Sequence, residues 1–123
     1  MRSVLKLNFF LFIILCACAK STPTLQDVDL KIFIEDKKGC LGKRSFMKKS
    51  IADQKEKLLG LSEIQVVDLL GSPDHNELYK RNQKFYYYSI DPSAECIHTK
   101  SDDHDELIIR FNAIGLSSDV SIE

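Results

Sequence analysis

The sequence predicts an α+β domain in which two N-terminal helices pack on an antiparallel sheet of three to four strands. Three observations point there. Apolar residues recur at helical spacing over residues 43–59 and 63–70, the period changes to two from residue 77 onward, and the helical segments all come before the strands. That order suits an α+β fold with an antiparallel sheet, whereas parallel sheets come from alternating strand and helix units.

The first twenty residues stand apart from this pattern. Arg2 and Lys6 precede an apolar core from Leu7 to Leu15, broken only by Asn8, and then Cys16, Ala17 and Cys18. A charged start and a short apolar core form the layout of an export signal. The core is well under the roughly 20 residues that a membrane-crossing helix needs. Leu15-Cys16-Ala17-Cys18 resembles the bacterial lipobox, with an aliphatic residue three before the cysteine and a small one just before it. Cys18 fits this pattern, and Cys16, preceded by bulky Leu15, does not. The resemblance implies cleavage after Ala17, a diacylglycerol thioether on Cys18 and palmitate-type acylation of the new amino group. Two or three chains give a stable anchor where one alone is marginal. An ordinary secretory signal cut nearby is the competing reading. Ala19 replaces the aspartate that holds enteric lipoproteins on the inner membrane, so the expected location is the outer membrane, on its periplasmic face or surface.

Residues 1–17 therefore read as signal peptide, residues 18–26 as a lipidated flexible tether interrupted by Pro23, and residues 27–123 as one domain. Loss of the signal removes Arg2 and Lys6 and no acid, which moves the net charge from −1 to about −3. This balance does not suit nucleic-acid binding. The remaining length serves one modest core and not two.

Within the domain, Val28, Leu30, Ile32 and Ile34 alternate with mostly charged or polar residues, which predicts a short extended segment over residues 27–36. Gly39 and Gly42 bracket Cys40 and mark a turn. Residues 43–59 place Met47, Ile51 and Leu58 on one face of an exposed amphipathic helix. Residues 63–70 form the best-defined element. Ser62 and Gln65 make a capping box, Leu61 and Val66 a hydrophobic staple, and Gly71 followed by Pro73 a stop. Strands follow at residues 77–80 and 84–90, joined by Arg81-Asn82-Gln83, with a further short strand around Cys96. The sequence closes on a hairpin of residues 106–111 and 116–122 about Asn112-Ala113-Ile114-Gly115.

Of the four cysteines, Cys16 leaves with the signal and Cys18 takes lipid. Cys40 and Cys96 remain as an even pair in an oxidising compartment, so a disulfide is expected, with two free thiols as the alternative. It would close a loop of about 57 residues and contribute roughly 3 to 4 kcal/mol.

The run Leu59-Gly60-Leu61-Ser62-Glu63-Ile64-Gln65-Val66-Val67-Asp68-Leu69-Leu70-Gly71-Ser72-Pro73-Asp74 resembles the signature of the SmpA/OmlA (BamE-like) small outer-membrane lipoproteins. In that family a Gly, hydrophobic, Ser/Thr opening leads through a short helix to Leu-Gly-x-Pro. The aromatic strand Phe85 to Tyr88 and the closing hairpin with Phe111-Asn112 and Gly115 at its turn are similar too. Cys40 and Cys96 lie outside the family pattern and resemble a cysteine-containing branch of Bacteroidetes type. The resemblance implies helices on an antiparallel sheet, an architecture shared with proteins like the β-lactamase inhibitor, and it implies a fold more than a function.

Candidate chemistry is sparse. His98 and His104 lie near Cys96 and the acids Asp102, Asp103, Asp105 and Glu106. Cys96-Ile97-His98 lacks the second half of a zinc site, and the acidic run lacks the spacing and glycine of a calcium loop, so a solvated loop is expected and no metal or other cofactor. Cys40 as a nucleophile with His75 or His98 as base competes with the disulfide, and no catalytic residue is assigned. Along the aromatic strand, Tyr86 and Tyr88 face one way and Phe85 and Tyr87 the other. Tyr86 and Tyr88 are the candidate partner-binding pair. These features imply a non-enzymatic protein-binding module in the envelope, held to the membrane by lipid on Cys18 and meeting an envelope protein. The alternative is a tethered inhibitor or ligand-binding protein, and a hydrolase is a distant third.

Overall fold

Four strands pair into an antiparallel sheet in the order β1 (His75–Tyr79), β2 (Gln83–Ser89), β3 (Glu106–Phe111) and β4 (Ser117–Ile122). The computed structural model describes residues 20–97 and 104–123. Helices α1 (Leu30–Glu35), α2 (Lys48–Gln54) and α3 (Glu63–Leu70) precede the sheet, so the α+β architecture stands. The register sets which side chains meet the helices. Tyr88 lies opposite Leu107, Tyr86 opposite Ile109, and Ile109 opposite Val120. With Phe111 these residues supply the sheet's share of the core. Phe33, Ile51, Leu58, Val66 and Leu70 supply the helices' share.

Helix α3 follows its sequence signals residue by residue. Ser62 Oγ accepts from the Gln65 backbone N–H at 3.2 Å, and Gln65 Oε1 accepts from the Ser62 N–H at 2.9 Å. Val66, Leu69 and Leu70 are buried beneath it. Gly71 ends it at φ +81, and a Cβ there would meet the Ile34 side chain at 3.1 Å, so both backbone sterics and packing require glycine.

Three of the expected elements change. Residues 27–36 hold helix α1, not an extended segment: Asp29 caps it by accepting from the Ile32 N–H at 3.1 Å, and Phe33, absent from the alternating set, is its fully buried residue. The helix expected over residues 43–59 is a broken run, 3-10 at Arg44–Met47, α2, then 3-10 at Lys55–Leu58, although Met47, Ile51 and Leu58 are buried as expected. The strand around Cys96 is a turn closed by the Cys96 N–H donating to Ser93 O. The Ser93 N–H there is already engaged with Lys38 O, which ties this segment to the loop after α1 and not to the sheet.

Residues 20–26, expected as a flexible tether, lie against the domain. Leu25 is buried in the core. Gln54 brackets Gln26, accepting from its N–H and donating to its carbonyl, each at 2.7 Å. Lys20 donates to the carbonyls of Lys57 and Leu59, and Gln65 Nε2 donates to Lys20 O. No helix among the described residues is long and apolar enough to cross a membrane.

Candidate functional site

Strand β2 carries the aromatic residues, and its register decides which of them a partner could reach. Tyr88 is fully buried, and its hydroxyl donates to Gly71 O at 2.8 Å. Burial raises its pKa well above the ordinary tyrosine value. Tyr86 is half-buried, packs edge-on against Phe111 at 4.8 Å and donates to Glu63 Oε1 at 3.0 Å. Burial, then the bond to Glu63, raises its pKa too. The candidate pair Tyr86 and Tyr88 is therefore corrected: it points under the helices, because β2 places it opposite the apolar residues of β3.

The opposite set makes the accessible surface. His75 stacks on Tyr87 with ring centroids 4.2 Å apart, Tyr87 neighbours Phe85 at 6.3 Å, and Phe85 meets Tyr79 edge-on at 5.9 Å. Four rings thus form a row across β1 and β2 on the helix-free face. The Tyr87 hydroxyl donates to Glu77 Oε2 at 3.0 Å, and its pKa is raised by burial first and by Glu77 second. Every residue of β1 is exposed, and β1 forms one edge of the sheet. An aromatic centre with polar groups at its margin, such as Glu77 and the exposed Arg110 opposite Phe85, has the make-up of a protein-binding surface. His75 and Tyr79 were missed in the sequence because their strand was expected to start at Glu77 and its parity was not tied to that of β2.

At the far end of the sheet, Cys40 and Cys96 are joined by a disulfide with their Cα atoms 5.4 Å apart. The approach is close: a Cβ on neighbouring Gly39 would fall 2.8 Å from Asp91 O, and φ is +65 there. Arg44 is buried beside this loop. Its Nε donates to Phe33 O at 2.7 Å, its Nη1 donates to Asp74 Oδ2 at 2.6 Å and Ser89 O at 3.1 Å, and its guanidinium lies 4.3 Å above the Phe33 ring. Asp36 accepts from the N–H groups of Leu41, Lys43 and Arg44. These polar groups are fully engaged in fixing the loop.

A cavity of about 200 Å³ adjoins it, lined by Lys38, Glu95, His75, His104 and Glu106 among others. Glu106 Oε1 lies 3.9 Å from His75 Nδ1 and 3.6 Å from His104 Nε2. Lys38 pairs with Glu95, which lowers the Glu95 pKa and raises that of Lys38. Among the described residues, no three His, Cys, Asp or Glu side chains are placed to hold a metal. Ser93 Oγ has Cys96 Sγ as its neighbour at 3.7 Å, which is no arrangement for activating a nucleophile. Cys18, His98, Asp102 and Asp103 lie outside the described residues. No protein-family model, curated protein or solved structure matches the chain.

Proposed function

We propose that this chain is a lipid-anchored envelope protein that acts as a non-enzymatic protein-binding module through the helix-free face of its sheet. The row of four rings formed by His75, Tyr87, Phe85 and Tyr79 carries the reading. Aromatic side chains left together at a surface mark an interaction site far more often than rings scattered singly. The export signal and the lipobox-like Leu15 to Cys18 support the anchor, and with it lipid on Cys18 in the outer membrane, on the periplasmic face or surface. The resemblance of Leu59 to Asp74 to the BamE-like signature supports a role in outer-membrane assembly or maintenance, with an envelope protein as partner.

The test is a photo-crosslinking amino acid in place of Tyr87 in living cells, with the same group at Phe46, 91% exposed beside the disulfide end, as the control. The expected adduct joins position 87 to an integral envelope protein and is lost when Phe85→Ser and Tyr79→Ser are added. An adduct confined to a soluble enzyme would favour a tethered inhibitor instead. Adducts that form equally from position 46, or that survive the two serines, would overturn the surface assignment.

A further inference from the structure

We propose that the end of the domain bearing its two hairpin turns is a seat for the lipid surface, resting in the headgroup layer of the bilayer that takes the acyl chains of Cys18. The inference rests on the proposed lipid at Cys18 and adds what the folded domain does beside it. The first argument is where the described chain begins. Lys20 is pinned at both its side chain, by the carbonyls of Lys57 and Leu59, and its backbone, by Gln65. One residue, Ala19, separates it from Cys18, and the two steps between them span at most about 7 Å. A lipid on Cys18 therefore holds the Leu59–Gln65 region of the domain close to the bilayer.

The second argument is what else the fold brings to that end. Lys84 at the start of β2 lies opposite Phe111 at the end of β3, so the turn at residues 80–82 and the turn at residues 112–116 share it. The N-terminus of α3 joins them, because Ser62 bridges to Leu116. Three apolar side chains stand out of this end into solvent: Ile114 at the turn tip is 79% exposed, Ile64 73% and Leu78 72%. An isoleucine at the tip of a hairpin turn has no packing reason to be there, since turns ordinarily carry polar residues. An amphipathic surface of this kind sinks its apolar groups a few ångströms into the boundary between headgroups and acyl chains.

Charge supplies the third argument. Lys20, Lys57, Lys80 and Arg81 belong to this end, and Lys80 and Arg81 are exposed on the turn. Of its acids, Glu63 is paired with Lys84 at 3.0 Å and also accepts from Tyr86, Asp119 lies opposite Arg110, and Glu56 lies beside Lys55 and Lys57. At the opposite end of the strands, roughly 20 Å away, Asp74 is paired with Arg44, Glu95 with Lys38, and Asp91 and Asp105 with Lys48, and Glu106 and Glu123 lie there too. An anionic lipid surface attracts the exposed Lys80 and Arg81 of the turn end. Exposed Leu41, Phe46 and Ile97, beside the disulfide, are then held away from the membrane.

The chain contains no tryptophan, so a single one reports without background. Ile114→Trp and Phe46→Trp both replace exposed side chains, and each variant is extracted from membranes and reconstituted into phosphatidylcholine vesicles with one part in five phosphatidylserine. The indole at position 114 should emit at shorter wavelength, resist acrylamide severalfold and be quenched by brominated acyl chains. The indole at position 46 should stay in water. Adding Lys80→Glu and Arg81→Glu should return position 114 most of the way to water. If the two positions behave alike, or if the charge reversals change nothing, the seat is overturned. Mass spectrometry of the same preparation separates this from the anchor: an unmodified Cys18 sinks the lipidation reading alone. In that case both variants are titrated with the same vesicles at high lipid, where a shift confined to position 114 still supports the seat and no shift at either position overturns it.

Discussion

Arg44 is the residue on which the loop after α1 depends. It is 1% exposed, and the Asp74 carboxylate that receives it also accepts from the Lys38 and Ser89 N–H groups. Removing one partner of a buried pair leaves the other charged and unpaired, which costs about 3 to 5 kcal/mol. Arg44→Ala should therefore lower the urea-unfolding free energy by about that amount, while Arg44→Met, which keeps bulk over Phe33, recovers only part of it because Asp74 still lacks its counter-charge. A loss under about 1 kcal/mol for Arg44→Ala would show that the pair is dispensable. Nothing in the sequence singled Arg44 out, since it sits in a run with Lys43, Lys48 and Lys49 that reads as a solvated helix face. The tyrosines were half-legible for a different reason. Alternation separates Tyr86 and Tyr88 from Phe85 and Tyr87, but a strand that is apolar on both faces gives no sign of which set is inward. Only the pairing of Tyr88 with Leu107 and Tyr86 with Ile109 decides it.

Elements whose ends carry chemical signals were readable to within a residue, and those identified by period alone were not. Helix α3 has a reciprocal cap and a glycine stop, and the closing hairpin has its apolar alternation and a turn in which Asn112 Oδ1 accepts from the N–H groups of Ile114 and Leu116. Helix α1 is six residues long, too short for a period to discriminate, and the usable signal was Asp29 as its cap. The segment at residues 20–26 was misread because proline and small polar residues look alike in a tether and in a strap laid on a core. Leu25 separates the two: it is 6% exposed. Leu25→Ala should cost about 2 to 4 kcal/mol, as other buried leucines do, and should speed hydrogen exchange at the Gln26 N–H held by Gln54. A change below about 0.5 kcal/mol would return the segment to the status of a tether.

The whole molecule is tied at one end by covalent and polar links and at the other by its turns. The Cys40–Cys96 bond spans a sequence separation of 56 and fastens the loop after α1 to the segment after β2. Between the two cysteines lie α2, α3, β1 and β2, so the bond restricts about half of the unfolded chain at once. Loop entropy puts its contribution at roughly 3 to 4 kcal/mol, against a total of about 5 to 15 kcal/mol for a domain of this size. The reduced protein should therefore still fold, since Asp36, Arg44 and Asp74 hold the same loop through noncovalent bonds. Urea unfolding of the oxidised protein and of the Cys40→Ser, Cys96→Ser double variant should both show one cooperative transition. The variant should have a lower midpoint and also a steeper dependence on urea, because an unfolded chain freed of its cross-link exposes more surface. If the midpoint fell with no change in slope, the bond would be acting on the native state, by holding the loop in place. A variant with no transition at all would mean that the polar links cannot fasten that end without the bond.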